Sequence, residues 1–409
     1  ITAIAKSFPI YFIIIGFTAG LSIGVTALIS NAIGKNDEKK ASLLLAQAII
    51  TSLIISFLVT LVGIYGTGPI LKFLKTNPEI IFYAKDYMDI IFLGASLFFL
   101  QLTINSFLVS RGDTKSLRNV LIITFFLNLV LNPIFIYGLY FITAMGIKGI
   151  ALATLCSQLF GLIYIILKVN KTNLKKFLNP ECFIPKYNLQ KEILSQTIPA
   201  TISMMLIGLG VFVLLFYVST YGDYSAGGYG AAIRFEQLFL LPVLGLNAST
   251  LALVGQNFGA MNFVRIHETY TRSIFYGTLF MGICGLFVFF SSDYIMYFFS
   301  DNNEIIFYGS TYLKIAAFAG PCYPIFFISS ALLQGLKKPN YQMIINLMRM
   351  VILPVCGLSV AVLYLQVNFT TMFLVVLTIN YVFAAAVYKF SVYQIDLMQK
   401  NYKPNLDAV

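Results

Sequence analysis

The sequence predicts an all-α polytopic membrane protein made of two pseudo-symmetric six-helix lobes, with eleven spans present of twelve expected. Three observations carry this expectation. Of 409 residues, 59% are apolar and 11% charged, against about 45–50% and 25% in soluble domains. Mean hydropathy is +0.85, and the apolar residues run in stretches of about 20, the length that crosses a bilayer as a helix. One pattern of residues also recurs at a fixed offset. So little charge excludes an ordinary soluble protein, a disordered chain and a nucleic-acid binder.

The spans in order are Phe8 to Ser30, Leu43 to Tyr65, Ile90 to Val109, Leu117 to Phe141, Ile147 to Val169, and Ile193 to Thr220. They continue with Ala231 to Phe258, Ile274 to Phe290, Ile315 to Leu333, Tyr341 to Leu365, and Phe369 to Tyr393. The eighth is short and extends backward through Tyr270 to Ser273. Breaks carry turn or charge signals, as at Gly34-Lys35-Asn36-Asp37 and Arg111-Gly112-Asp113. Strands are excluded by run length and by the absence of alternation.

The string EIIFY occupies Glu79 to Tyr83 and returns at Glu304 to Tyr308, 225 residues on. The same offset pairs Gly20-Leu21 with Gly245-Leu246, Asn77 with Asn302, Tyr87 with Tyr312, and Leu108 with Leu333. One offset held over this length marks a duplicated unit. The span from Ile193 opens the second unit, and its partner would precede residue 1. The reading therefore expects a first helix missing from this chain, and parallel repeats of six spans. It divides the chain into a first lobe at 1–169, a cytoplasmic linker at 170–190, a second lobe at 191–395 and a cytoplasmic tail at 396–409.

Loop charge gives the orientation. Nineteen Lys and Arg, including Lys35, Arg111, Lys186, Arg265, Lys337 and Lys400, fall on one side, and only Lys72, Lys75 and Lys148 on the other. The positive-inside rule makes the richer side, and the C-terminus, cytoplasmic. It also accounts for most of the net charge of +11 without nucleic acid.

Little in the sequence suggests covalent chemistry. Five scattered cysteines form no C-x-x-C pair, His267 is the only histidine, and no Ser-His-Asp set or phosphate loop can be assembled. No enzyme activity, metal centre or cofactor is expected. The candidates are polar groups inside spans, where an ionisable side chain is costly. Arg234, Glu236 and Gln237 lie near the outer end of their span, either as an interface ion pair or with Glu236 in a cavity. Arg349, eight residues into its span, reads as snorkelling to the cytoplasmic interface. Asp86, Asp89 and Lys314 read as interfacial anchors. Asn128 and Asn132 share one helix face with Pro133 directly after. They form either a hard-oxygen cation site beside a freed carbonyl or a pair of interhelical hydrogen bonds.

The segments ALISNAIGKND (27–37), NLVLNPIFIYG (128–138), GIKGIALATLCSQ (146–158), GYGAAIRFEQLFLLPVLGLNASTLALVGQNFGA (228–260) and ALLQGLKKP (331–339) are similar to the multidrug and toxic compound extrusion (MATE) family. The resemblance covers nearly the whole chain. It implies a monomeric antiporter in the plasma (inner) membrane that exports cationic amphipathic compounds in exchange for Na⁺ or H⁺, the coupling ion being its only cofactor. It also implies a first-lobe cation site in which Asn128 and Thr154 match the family's Asn and Thr, while Asn132 stands where the family has Asp. That substitution removes a charge, which leaves Glu236 as the stronger coupling candidate and Arg234 and Gln237 as cavity candidates. Two rival readings remain: a lipid-linked oligosaccharide flippase of the same superfamily, and a fragment that does not transport.

Overall fold

A computed structural model describes residues 2–73, 76–139, 143–172 and 179–402, with the side chains of Thr2, Ala5 and Lys6 left aside. Lys75, Lys175, Lys176 and Lys403, counted above as loop cations, lie outside these residues. The described chain is helical and contains no strand. Hydrocarbon offers no partner to backbone N–H and C=O groups, so each span must satisfy its own ladder.

The first half comprises α1 (Thr2–Gly34), α2 (Glu38–Phe73), α3 (Pro78–Leu93), α4 (Ala95–Ser110), α5 (Lys115–Tyr137) and α6 (Ile147–Asn170). A 3₁₀ turn, Pro180–Phe183, precedes α7 (Tyr187–Ser219). Then come α8 (Asp223–Gly259), α9 (Phe263–Phe299), α10 (Asn303–Ala319), α11 (Cys322–Gly335), α12 (Pro339–Leu347), α13 (Leu353–Leu358) and α14 (Phe369–Tyr402). The segment Pro339–Tyr364 is one apolar span in which two π-helical stretches, Met348–Ile352 and Ser359–Tyr364, flank α13.

Among the described residues nine helices are long and apolar enough to cross a membrane, and two bent pairs bring the number to eleven. The bends are an addition to the sequence reading, which took Ile90 to Val109 and Ile315 to Leu333 as continuous. α3 and α4 meet at 43° beside Gly94, and α10 and α11 at 53° beside Gly320 and Pro321. The two breaks fall at matching places in the repeat. So do the caps: Asn77 Oδ1 accepts from the Glu79 N–H, and Asn302 Oδ1 accepts from those of Glu304 and Ile305.

The chain forms two compact units, residues 1–204 and 205–409. This boundary falls inside α7 rather than in the 170–190 linker, and the packing explains why. Thr197 and Thr201 of α7 lie so close to α1 that a Cβ on Gly24 or Gly20 would sit 2.8 or 2.3 Å from their hydroxyl oxygens. The α1 glycine face is thus covered by α7, and the helix expected before residue 1 is not confirmed.

Small polar residues seal the first unit's interior. Ser22 and Ser106 hydroxyls meet at 3.0 Å, and Ser110 Oγ donates to the Thr26 carbonyl at 3.1 Å. Such contacts hold helices together where apolar burial gives no advantage over lipid. Gln47 ties the linker down. Its Nε2 donates to the carbonyls of Cys182 (2.8 Å) and Ile184 (2.7 Å), and its Oε1 accepts from the Lys186 N–H and Gln190 Nε2, both at 2.9 Å. Outward faces are apolar, with Phe57, Phe126, Phe290 and Phe298 exposed. A surface this apolar belongs in lipid.

Candidate functional site

Within the second unit, five elements converge on Glu236. α8 places its carboxylate inside a cavity of about 190 Å³, lined also by Tyr229, Gln237, Tyr312, Tyr323, Arg349 and Asn380. Tyr312 on α10 donates its hydroxyl to Glu236 Oε2, and Tyr323 on α11 donates to Oε1 at 2.7 Å. Both oxygens of this carboxyl group are thus held by tyrosine hydroxyls. Tyr229, one side of which packs edge-on against Tyr312 at 4.9 Å, is buried, and its hydroxyl has no hydrogen-bond partner among the described residues.

Arg349 lines the same cavity. Its guanidinium sits 4.0 Å over the Phe326 ring and 5.1 Å over the Tyr323 ring, and Nε donates to Asn380 Oδ1 at 3.4 Å. The interface reading of Arg349 is therefore corrected: the side chain lines the cavity. The local backbone accounts for this. Pro354 lacks an N–H and its ring clashes with the carbonyl four residues earlier. The chain responds with a π turn, in which the Leu353 N–H reaches the Met348 carbonyl five residues back. Such wide turns re-aim side chains and are frequent at functional sites. Arg234 is a second correction, being exposed and absent from the cavity wall, whereas Glu236 is half-buried. Residues two apart on a helix point about 200° away from each other, so no Arg234–Glu236 pair forms. Gln237 does border the cavity.

The 225-residue offset turns this site into a comparison. Glu236, Tyr312 and Tyr323 correspond to Tyr11, Tyr87 and Phe98. In the first unit Tyr11 packs edge-on against Phe98 at 6.0 Å and lies against the buried Tyr87. The duplicated place exists in both halves, but only the second carries a carboxylate.

The amide pair of the first unit is assembled as a chain. Asn132 Nδ2 donates to Asn128 Oδ1 at 2.7 Å, Asn128 Nδ2 reaches Thr154 Oγ1 at 3.4 Å, and Thr154 donates to the Ile150 carbonyl at 3.0 Å. Asn132 Oδ1 is buried with no hydrogen-bond partner among the described residues. α5 continues as a helix through Pro133 to Tyr137. Of the anchors, Asp86 pairs with Lys148 at 3.3 Å and Lys314 with Asp293 at 2.9 Å, while Asp89 Oδ1 is buried with no hydrogen-bond partner among the described residues. No cluster of His, Cys, Asp and Glu suited to a metal occurs among the described residues.

Sequence reasoning missed Tyr312, Tyr323 and Asn380 and misplaced Arg349. The signal for the tyrosines was present, because the repeat pairs them with first-half aromatics around a position where Glu replaces Tyr.

The MatE family profile matches residues 1–134 and 199–357. The probable multidrug resistance protein YpnP of Bacillus subtilis (strain 168) is 28% identical over 351 residues, 84% of this chain and 76% of that protein. The multidrug export protein MepA of Staphylococcus haemolyticus (strain JCSC1435) is 25% identical over 315 residues, 77% of this chain and 69% of that protein. Among solved structures, a MOP superfamily transporter from Pyrococcus furiosus Vc1 (DSM3638) has the same fold, with TM-score 0.90, 22% identity, and coverage of 97% of this chain and 88% of the other. The spans, the duplication and this match together place the chain in the MatE family of multi-pass membrane transporters.

Proposed function

We propose that this protein is a secondary active antiporter that exports cationic amphipathic compounds against an inward flow of H⁺ or Na⁺, with Glu236 as the coupling residue. The observation that carries the reading is a carboxylate held by two tyrosine hydroxyls in a cavity of about 190 Å³. Drug-sized ligands occupy roughly 300–1,000 Å³, so this cavity suits water and an ion rather than the cargo. Family membership supplies the transport chemistry, and the sequence offers no phosphate loop that would draw on ATP. Exchange needs a group whose ion affinity differs between two conformations. A carboxylate at the wetter end of its span, enclosed by aromatic rings, is such a group. The chain would lie in the plasma membrane as a monomer with its C-terminus in the cytoplasm.

The chain Asn128–Asn132–Thr154 offers oxygen ligands for a second, weaker cation site, lacking the charge that an Asp at 132 would give. The flippase reading is less favoured: a diphosphate needs a basic cluster, and with Arg234 exposed only Arg349 remains on the cavity wall.

The test is uptake of a fluorescent aromatic cation into everted vesicles under imposed pH and Na⁺ gradients. Glu236→Gln should retain substrate binding and lose gradient dependence. Undiminished gradient dependence in that variant would return Glu236 to a structural role.

A further inference from the structure

We infer that the Arg349 end of the second-unit cavity is a binding site for one small monovalent anion, of the size of chloride. Arg349 is a cation within a membrane span, where charge is costly and a partner is the rule. Yet it forms no ion pair among the described residues. The Phe326 and Tyr323 rings lie against its guanidinium at 4.0 and 5.1 Å. Rings attract the charge, but they do not accept the N–H bonds that lie in the guanidinium plane. Nε donates to Asn380 Oδ1 at 3.4 Å, and the Nη donors meet no acceptor among the described residues. A second observation points the same way. The hydroxyl of Tyr229, a residue 1% exposed, is a further donor on this cavity wall with no partner among the described residues.

The Glu236 end differs. There the Tyr312 and Tyr323 hydroxyls are already given to the carboxyl group. Water can accept from the remaining donors, but it brings no charge. A cavity of about 190 Å³ has room for several waters at about 30 Å³ each, or for a small anion with part of its hydration shell. One guanidinium matches one negative charge. Glu236 and Arg349 are the charged residues on this wall, so their sum sets its sign. While the carboxylate is ionised it offsets the guanidinium and repels an entering anion. When the coupling cation neutralises Glu236, the guanidinium is left uncompensated and an anion restores the balance. Each ligand then favours the other by the same factor. This linkage rests on the coupling role of Glu236 proposed above, whereas the site itself rests on Arg349.

The first unit supplies a contrast. The 225-residue offset places Tyr11 opposite Glu236 and Thr124 opposite Arg349. Thr124 Oγ1 donates to the Leu121 carbonyl at 3.2 Å, one turn back on its own helix. The anion site belongs to the second unit alone.

The experiment titrates the purified full chain with N-methylglucamine chloride, against the gluconate salt at equal ionic strength and pH. Chloride should raise the melting temperature of the wild type saturably, and gluconate should not. Glu236→Gln, neutral at that position, should bind chloride about tenfold more tightly, within the usual span of coupling between sites. Arg349→Gln should lose the chloride response, and Arg349→Lys, which keeps the charge, should retain part of it. An unchanged response in Arg349→Gln would place the anion elsewhere and overturn the inference. Equal melting in chloride and gluconate, for both the wild type and Glu236→Gln, would mean water alone and overturn it too. Bromide in crystals of Glu236→Gln gives a readout that needs no arginine variant. Its anomalous signal should lie beside Arg349, and a cavity without that signal would count decisively against the site. Ethidium efflux from proteoliposomes tests the coupling role separately. Gradient dependence surviving in Glu236→Gln would remove that role, and with it the linkage, while the chloride titration decides the site independently.

Discussion

Asn128 and Arg349 each stand five residues before the proline of their span, Pro133 and Pro354. In the first half this position begins an amide chain to Asn132 and Thr154. In the second it carries a cation over two aromatic rings, in a cavity that also holds a carboxyl group. The 225-residue offset places Thr124 opposite Arg349 and Leu353 opposite Asn128, so the two proline-linked sites stand at different positions of the repeat.

Tyr323 has two functions, and two substitutions separate them. Tyr323→Phe removes the hydroxyl donor to Glu236 and keeps the ring beneath Arg349. A hydrogen bond to a charged group is worth about 1.5–3 kcal/mol, so gradient-driven transport should fall roughly tenfold or more. Tyr323→Leu also removes the ring and should fall further. Initial efflux rates in proteoliposomes measure both.

In the first unit, Asn132→Asp should create a cation requirement. Asn132 now donates to Asn128 Oδ1 at 2.7 Å, and an ionised aspartate would instead set two oxygens facing each other. A bound monovalent cation would relieve that contact. The variant's melting temperature should rise with added Na⁺, and the wild type should show no such rise from this site.

The α1–α7 crossing should tolerate no side chain. A Cβ on Gly20 would lie 2.4 Å from the Thr201 Cα, which is backbone and cannot swing aside. Gly20→Val should cost about 1–3 kcal/mol or more through overpacking. By contrast, Gly245, its repeat partner, has open space where a Cβ would go, and Gly245→Ala should gain about 0.5–1 kcal/mol from helix propensity. Thermal melting in detergent should move in opposite directions for the two.

Gln47→Leu tests the linker's attachment. Four hydrogen bonds are lost, two of them to the carbonyls of Cys182 and Ile184. At about 1 kcal/mol each, undocking is favoured by roughly 2–4 kcal/mol. Hydrogen exchange over residues 179–190 should quicken while the transmembrane cores keep their protection.

The spans were legible because lipid demands length and apolarity, and both are written locally. The bends at Gly94 and Gly320 were not, since glycine within a span is common and whether it bends depends on neighbours such as Leu155. Glu236 stood out as a carboxylate in an apolar run. Its tyrosine partners did not, because 25 tyrosines in this chain dilute any single one. Arg349 was misread because its distance from the span end permits snorkelling; the π turn, which no local propensity announces, directs it inward.

The stretch Met348–Ile352 has a consequence in terms of insertion and deletion. A π turn holds about one residue more than the α ladder would need across the same rise. Removing a single codon there would let the ladder close as an ordinary helix. If the residue lost is Val351 or Ile352, neither of which lines the cavity, Pro339 to Met350, Arg349 included, would rotate by about 100° relative to α13. An in-frame loss of one amino acid could thus withdraw the cation from the cavity without changing the identity of any residue that lines it. Alleles of this gene differing by such a deletion would keep the membrane topology and lose the arginine from the cavity wall.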